Sequence, residues 1–197
     1  MNVCACIERL VPNAKFQKMT WTQGQFPQIT EEMYNGIIWE DERTKPTWLQ
    51  LKVIWLEICK ETLYTLIENE RDHHLSNGFP YMFPGDVYGV IQTRHIEDQR
   101  NIQINHSAAQ TFLMLGLTEQ PMTFRDTENV IHTLTPIQMV EMTLYVSSKG
   151  QHIYTNSWIH KDIIKQITII DETDEIEINT KINDVLTYDY STGWQGA

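Results

Sequence analysis

Apolar positions recur at spacings of three and four along the long stretches of this chain, and short runs of strand-like residues separate those stretches. The first helical stretch opens after Pro46-Thr47, and its Leu49, Val53, Leu56, Leu63 and Ile67 form one stripe. Ile54, Trp55 and Ile58 widen the apolar surface, which predicts a helix packed on more than one side. Asn77-Gly78 supplies the left-handed residue that a helix terminus favours, so the helix is expected to end near His74. Next, Tyr81-Met82-Phe83 and Val87-Tyr88-Gly89-Val90 flank Pro84-Gly85-Asp86, the pattern of a hairpin. A second helix is predicted over 93–116, with Ile96, Ile102, Ala109, Phe112 and Leu113 roughly on one face and Gly116 closing it. Residues 122–134 then read as two short strands around the polar turn 126–129.

The third helix start can be placed to the residue. Thr135 suits the cap, Pro136 the first helical position, and Gln138 the position from which a side chain reaches back to the cap. This helix is expected to reach about residue 168, with Met139, Met142, Val146, Ile153, Ile163 and Ile167 on its seam and Gly150 as a candidate kink. A short helix over 174–182 follows. Before residue 46 the pattern is weaker. Residues 3–10 read as a strand or a turn of helix, and Asn35-Gly36 as a turn leading into a strand through Trp39. The expected fold class is α+β: long helices with two short β-hairpins, a mainly helical C-terminal domain behind a small N-terminal segment. The expected divisions are 1–45 as an attachment segment with short strands, 46–77 as a connecting helix, and 78–197 as a hairpin/helix domain. The hairpin-then-helix order occurs twice, without residue identity between the copies.

Composition narrows the function classes. Six Trp, eight Tyr and six Phe among 197 residues give enough aromatic surface to offset ordering entropy by burial. The formal net charge is −11, and no Lys/Arg cluster stands against it, so nucleic acid is not an expected partner. No apolar run approaches the roughly 20 residues that cross a bilayer, so membrane insertion is not expected. The first ten residues carry Glu8 and lack the apolar block of a secretory signal, which predicts synthesis in a cytoplasm. Three cysteines, an odd number, argue against a disulfide framework and for buried or half-buried free thiols.

No residue cluster announces chemistry. Cys4-Ala-Cys6 lacks a second pair at finger-like spacing. His73-His74 are adjacent, about 100° apart on a helix, and suit the helix C-terminal dipole better than a metal. His106, His132 and His160 read as surface or satisfied core residues. Asp171, Asp174, Glu175 and Glu177 lack the glycine and oxygen alternation of a calcium loop. No nucleophile elbow or phosphate loop occurs. Trp48, Trp55, Trp158 and Trp194 offer faces for sugar rings, but burial as core or interface anchors is the preferred reading. No catalytic residue, cofactor or metal is therefore expected.

The segment from about 79 to 194 resembles an uncharacterised domain, a domain of unknown function, found in bacteriophage tail-fibre and tail-associated proteins. The resemblance rests on the order and spacing of several short pieces. They are Gly78-Phe79 with its hairpin, Arg100-Asn101-Ile102, Thr123-Phe124-Arg125-Asp126 with residues 130–134, Thr135-Pro136, residues 163–167 and the closing Ser191-Thr192-Gly193-Trp194. Ile38-Trp39-Glu40-Asp41 and Lys45-Pro46-Thr47-Trp48 look, more loosely, like the lead-in of small phage tail proteins. Residues 169–189 depart from the pattern, being longer and more acidic than the usual ending. The resemblance implies a virion structural protein of the tail, at the baseplate or fibre attachment, which works by protein–protein binding and is not an enzyme. The implied partners are other tail proteins within a homo-oligomer or symmetric assembly. The expected location is the virion, after synthesis in the host cytoplasm. Trp48, Trp55, Met139, Met142 and Trp158 are the expected partner-binding residues. The alternative is a tail-fibre assembly chaperone absent from the mature particle. A depolymerase acting on surface sugars is disfavoured by the short chain without solenoid repeats.

Overall fold

The computed structural model describes residues 1–17 and 29–194. The chain is α+β, with long helices and two short antiparallel hairpins, as the pattern predicts. The described residues divide into two compact units, 1–17 and 29–65 with 162–189, and 66–161 with 190–194.

The first unit is helical. Its α1 (Val3–Leu10) is capped by the Asn2 side chain, which accepts from the Ala5 amide at 3.1 Å. The expected alternatives here were a strand or a helical turn, and the structure gives two turns of helix. Cys4 and Cys6 are therefore about 200° apart around the axis, one exposed and one buried. The strand expected after Asn35-Gly36 is absent among the described residues. Instead α2 (Glu31–Asn35) ends there, and Trp39 makes a single bridge with Phe16. Lys45 sits at the C-terminal end of α2, and its Nζ donates to the carbonyls of Tyr34, Asn35 and Ile37 at 2.9, 3.3 and 3.0 Å. A cation there satisfies carbonyls that the helix leaves open. Val3, Cys6, Ile7, Tyr34, Trp48 and Leu51 form the core of this unit.

The long helix α3 (Trp48–Ser76) ends where expected, with Gly78 in the left-handed region at φ 76°. The first unit also holds α6 (Glu175–Leu186), which ends four residues later than expected. Asp174 caps it, accepting from the amides of Ile176 and Glu177 at 2.9 and 3.2 Å. The rest of the acidic run is also individually engaged. Glu175 pairs with Lys52 at 2.6 Å, Asp171 accepts from Thr173, and Glu177 accepts from the amides of Ile170 and Asp171.

The second unit holds both hairpins. Strands β1 (Phe79–Phe83) and β2 (Val87–Ile91) pair with Phe83 opposite Val87. Helix α4 (Ile96–Met114) follows, then β3 (Met122–Arg125) paired with β4 (Ile131–Leu134), then α5 (Pro136–Gln166). The capping box of α5 is formed as read: the Thr135 amide donates to Gln138 Oε1 at 2.9 Å, and the Gln138 amide to Thr135 Oγ1 at 3.3 Å. The two hairpins are joined by the Thr127 amide donating to the Val90 carbonyl at 3.0 Å. Phe83, Ile91, Ala109, Leu134, Met139 and Met142 are central to the core. The seam of α5 departs from the expected one towards its C-terminus. Ile164 is fully buried and Ile163 is exposed, because the helical period carries the stripe through Ile153, Ser157, His160 and Ile164.

Candidate functional site

The cores of α4 and α5 meet through Ile102, Ala109, Met139 and Met142, and beside this seam an open cleft of about 940 Å³ runs between the two helices. Helix α4 supplies Gln99, Gln103, His106 and Ser107 around the buried Ile102. Helix α5 supplies Leu144, Ser147, Gln151, Tyr154 and Trp158, which follow one another at helical spacing on one face. Gly150 lines the cleft as well and keeps that stretch of wall without a side chain. Tyr154 and Trp158 are 41% and 56% exposed, with ring centroids 6.2 Å apart and planes tilted by 38°. None of the residues lining the cleft is Asp, Glu, Lys or Arg.

One hydrogen-bond chain fixes a polar group in the wall. His106 Nδ1 lies 2.6 Å from Thr143 Oγ1, which itself donates to the Val140 carbonyl at 2.9 Å. Thr143 thereby fixes the orientation of the imidazole through Nδ1. Nε2, the other ring nitrogen, donates or accepts according to the tautomer.

A second arrangement is a buried structural knot. Asp126 and His132 are 3% and 6% exposed, and Asp126 Oδ2 lies 2.9 Å from His132 Nε2. Asp126 Oδ1 accepts from the amides of Glu128 and Val130, both at 2.9 Å. The imidazole stacks on Phe83, with centroids 3.6 Å apart. Burial is the largest single influence on the Asp126 carboxyl and raises its pKa. The hydrogen bonds from His132, Val130 and Glu128 together outweigh it, so the net shift is downward. Gly89 closes over this pair: a Cβ there would lie 2.7 Å from Asp126 Oδ2 and 2.8 Å from a Phe83 ring carbon. The knot joins the two hairpins and has no open face for a ligand.

A third arrangement pins residues 190–194. Trp194 is buried between the rings of His74 and His160, at centroid distances of 5.2 and 5.7 Å. His160 Nε2 and Asn156 Nδ2 donate to the Thr192 carbonyl at 3.0 and 3.2 Å. Gly193 has φ 82° and lies against the Asn156 side chain, so both its conformation and its space require glycine.

The five residues expected to bind partners fall in different surroundings. Trp48 is buried in the first unit, 5.7 Å from the Tyr34 ring, and Trp55 is half-buried against the same core. Met139 and Met142 are fully buried in the core of the second unit. Trp158 stands in the cleft. The sequence reading passed over Gln99, Gln103, Gln151 and Tyr154. Their signal is a stripe without charge on helices whose other faces carry charge.

Other large apolar side chains lie in the open where α4 ends: Met114 and Leu115 are 80% and 67% exposed, and Leu117 beyond them is also exposed.

A family model, a domain of unknown function (DUF4376), matches residues 59–180. The chain belongs to this family. The DUF4376 region takes in both hairpins, α4, α5 and every residue that lines the cleft. It begins about 20 residues before the segment on which the sequence resemblance rests and stops short of the Trp194 closure. No curated protein and no solved structure matches the chain.

Proposed function

We propose that this DUF4376 protein is a structural protein of a bacteriophage tail, at the baseplate or fibre attachment, and that it acts by binding other tail proteins. The phage context rests on the sequence resemblance of residues 79–194. The observation that supports a binding role is the run of exposed apolar side chains at Met114, Leu115 and Leu117. Three large apolar groups in four consecutive positions, next to a well-filled core, form a surface that protein contact stabilises. Burying such a side chain contributes about 1.5–3 kcal/mol, so three of them are a substantial anchor. The partner is a tail component with an apolar recess, and assembly is symmetric, as tails are built from repeated copies. The protein is placed in the virion after synthesis in the host cytoplasm.

Affinity-tagged chain, expressed during infection, is expected to co-purify with tail components. The double variant Met114→Ser/Leu115→Ser is expected to lose them while its circular dichroism stays unchanged. Equal capture by both forms would remove this surface from the proposal. Capture of an immature fibre from lysate by a chain absent from finished particles would favour the assembly-chaperone reading.

A further inference from the structure

We infer that the α4–α5 cleft is a binding site for an uncharged oligosaccharide. The inference is independent of the tail assignment and of the apolar end of α4, since it rests on the lining chemistry alone.

Charge is the first discriminator. The chain has 15 Lys and Arg and 26 Asp and Glu, yet none of them lines the cleft. The nearest cation, the Arg71 guanidinium 5.5 Å over the Tyr154 ring, is already paired with Asp72 at 2.7 Å, so a phosphorylated, sulphated or carboxylated ligand would be desolvated there with no free counter-charge, against a molecule of net charge −11. A cationic ligand would find no carboxylate. Neutral ligands are what this wall leaves.

Polarity is the second. Gln99, Gln103 and Gln151 each present an amide, with both a carbonyl acceptor and an NH₂ donor, and none of the three side chains has a hydrogen-bond partner among the described residues. Ser107 Oγ donates to the Gln103 carbonyl at 3.0 Å, so it offers lone pairs to the cleft. His106 is held by Thr143 through Nδ1, which leaves Nε2 to give or take a hydrogen bond according to the tautomer. Donors and acceptors are thus intermixed along both helices. A hydroxyl, which both gives and takes a hydrogen bond, matches such an array at every position. A partner helix laying an apolar face here would instead strand these groups, at about 1–3 kcal/mol for each one buried unpaired. Helix-in-groove docking needs a continuous apolar trench, and this wall is interrupted by amides and hydroxyls.

Shape is the third. Tyr154 and Trp158 lie one turn apart; the Arg71 guanidinium sits 5.5 Å over the Tyr154 ring, and the more exposed Trp158 supplies the open aromatic face of the α5 wall. A pyranose ring has an apolar C–H face and a hydroxyl rim. Its face fits an aromatic platform while the rim meets the amides opposite, which is the division between apolar body and placed polar groups found in ligand sites. The volume of about 940 Å³ lies at the upper end of the small-ligand range and suits several linked rings better than one.

The test uses the full chain, fluorescently labelled, on an array of neutral tri- and tetrasaccharides (gluco-, galacto-, manno- and N-acetylglucosamine series) beside sialylated, uronic and sulphated ones. Hits are measured by titration calorimetry. Saturable binding of at least one neutral series is expected. Trp158→Ala and Gln103→Ala should each weaken it tenfold or more with an unchanged circular dichroism spectrum. Gln151→Glu, which adds a charge to the wall, should do the same. Because all three side chains are exposed, these variants leave the core intact. No binding of any neutral glycan at millimolar concentration would overturn the inference. So would binding confined to charged glycans, full affinity in the three variants, or displacement of the glycan only at a site these variants do not touch. An amphipathic peptide captured by the cleft in place of any glycan would overturn it in favour of protein docking.

Discussion

Individual side chains divide here into those that hold the fold and those left to the outside. Asp126 belongs to the first group. Its folded pKa is below the ordinary 3.8, so its contribution to stability is fully present above that value and is lost as pH falls through the lower folded pKa. Chemical denaturation at pH 7, 5 and 3 is expected to show a loss at the acid end that is smaller in Asp126→Asn, which carries no charge to neutralise. At pH 7 that variant should itself be less stable, by about 3 kcal/mol, because it breaks one side of a buried pair. The cysteines separate by exposure. Burial pushes the Cys6 thiol up to about 11 and also raises Cys59, whereas Cys4 is exposed. An aromatic disulfide reagent at pH 8 is expected to label one thiol in the native chain and all three in denaturant. Rapid labelling of three native thiols would contradict this placement.

Among the elements, the start of α5 is the clearest case of local sequence specifying local structure. Thr135→Ala removes one half of the capping box and should cost about 1 kcal/mol, lowering the melting midpoint by about 2–4 °C. Thr135→Ser should keep most of it. An unchanged midpoint in the alanine variant would show that tertiary packing alone sets this helix start. The hairpins were readable for the same reason, since Pro84-Gly85-Asp86 and residues 126–129 are turn chemistry between strand-like runs. The misreadings have a physical pattern too. The stripe of α5 slipped by one at Ile163 because Ser157, not Asn156, occupies the core position earlier on that stripe, and a polar residue on a seam is invisible to an apolar count. The cleft escaped notice because it is defined by the absence of charge on two helices far apart in sequence. Only packing brings Gln103 and Trp158 to the same opening. Met139 and Met142 mark the opposite limit: a greasy stripe does not say whether its partner lies within the chain or outside it, and here it lies within.

At the scale of the whole molecule, the chain combines a DUF4376 region with an N-terminal helical part that precedes the family match. No helix among the described residues is long and apolar enough to cross a membrane. The proposed anchor at Met114 and Leu115 and the α4–α5 cleft draw on different side chains of the same unit. One can therefore be removed without the other: the Met114→Ser/Leu115→Ser variant is expected to keep glycan binding while losing its tail partners. The central claim is that this chain is a built part of a phage tail. Quantitative mass spectrometry of extensively washed phage particles from cultures expressing it tests that claim most directly. The account predicts the chain at a fixed whole-number ratio to the other tail proteins, retained in isolated tails. Its absence from those particles, with the protein abundant in the lysate, would contradict the account.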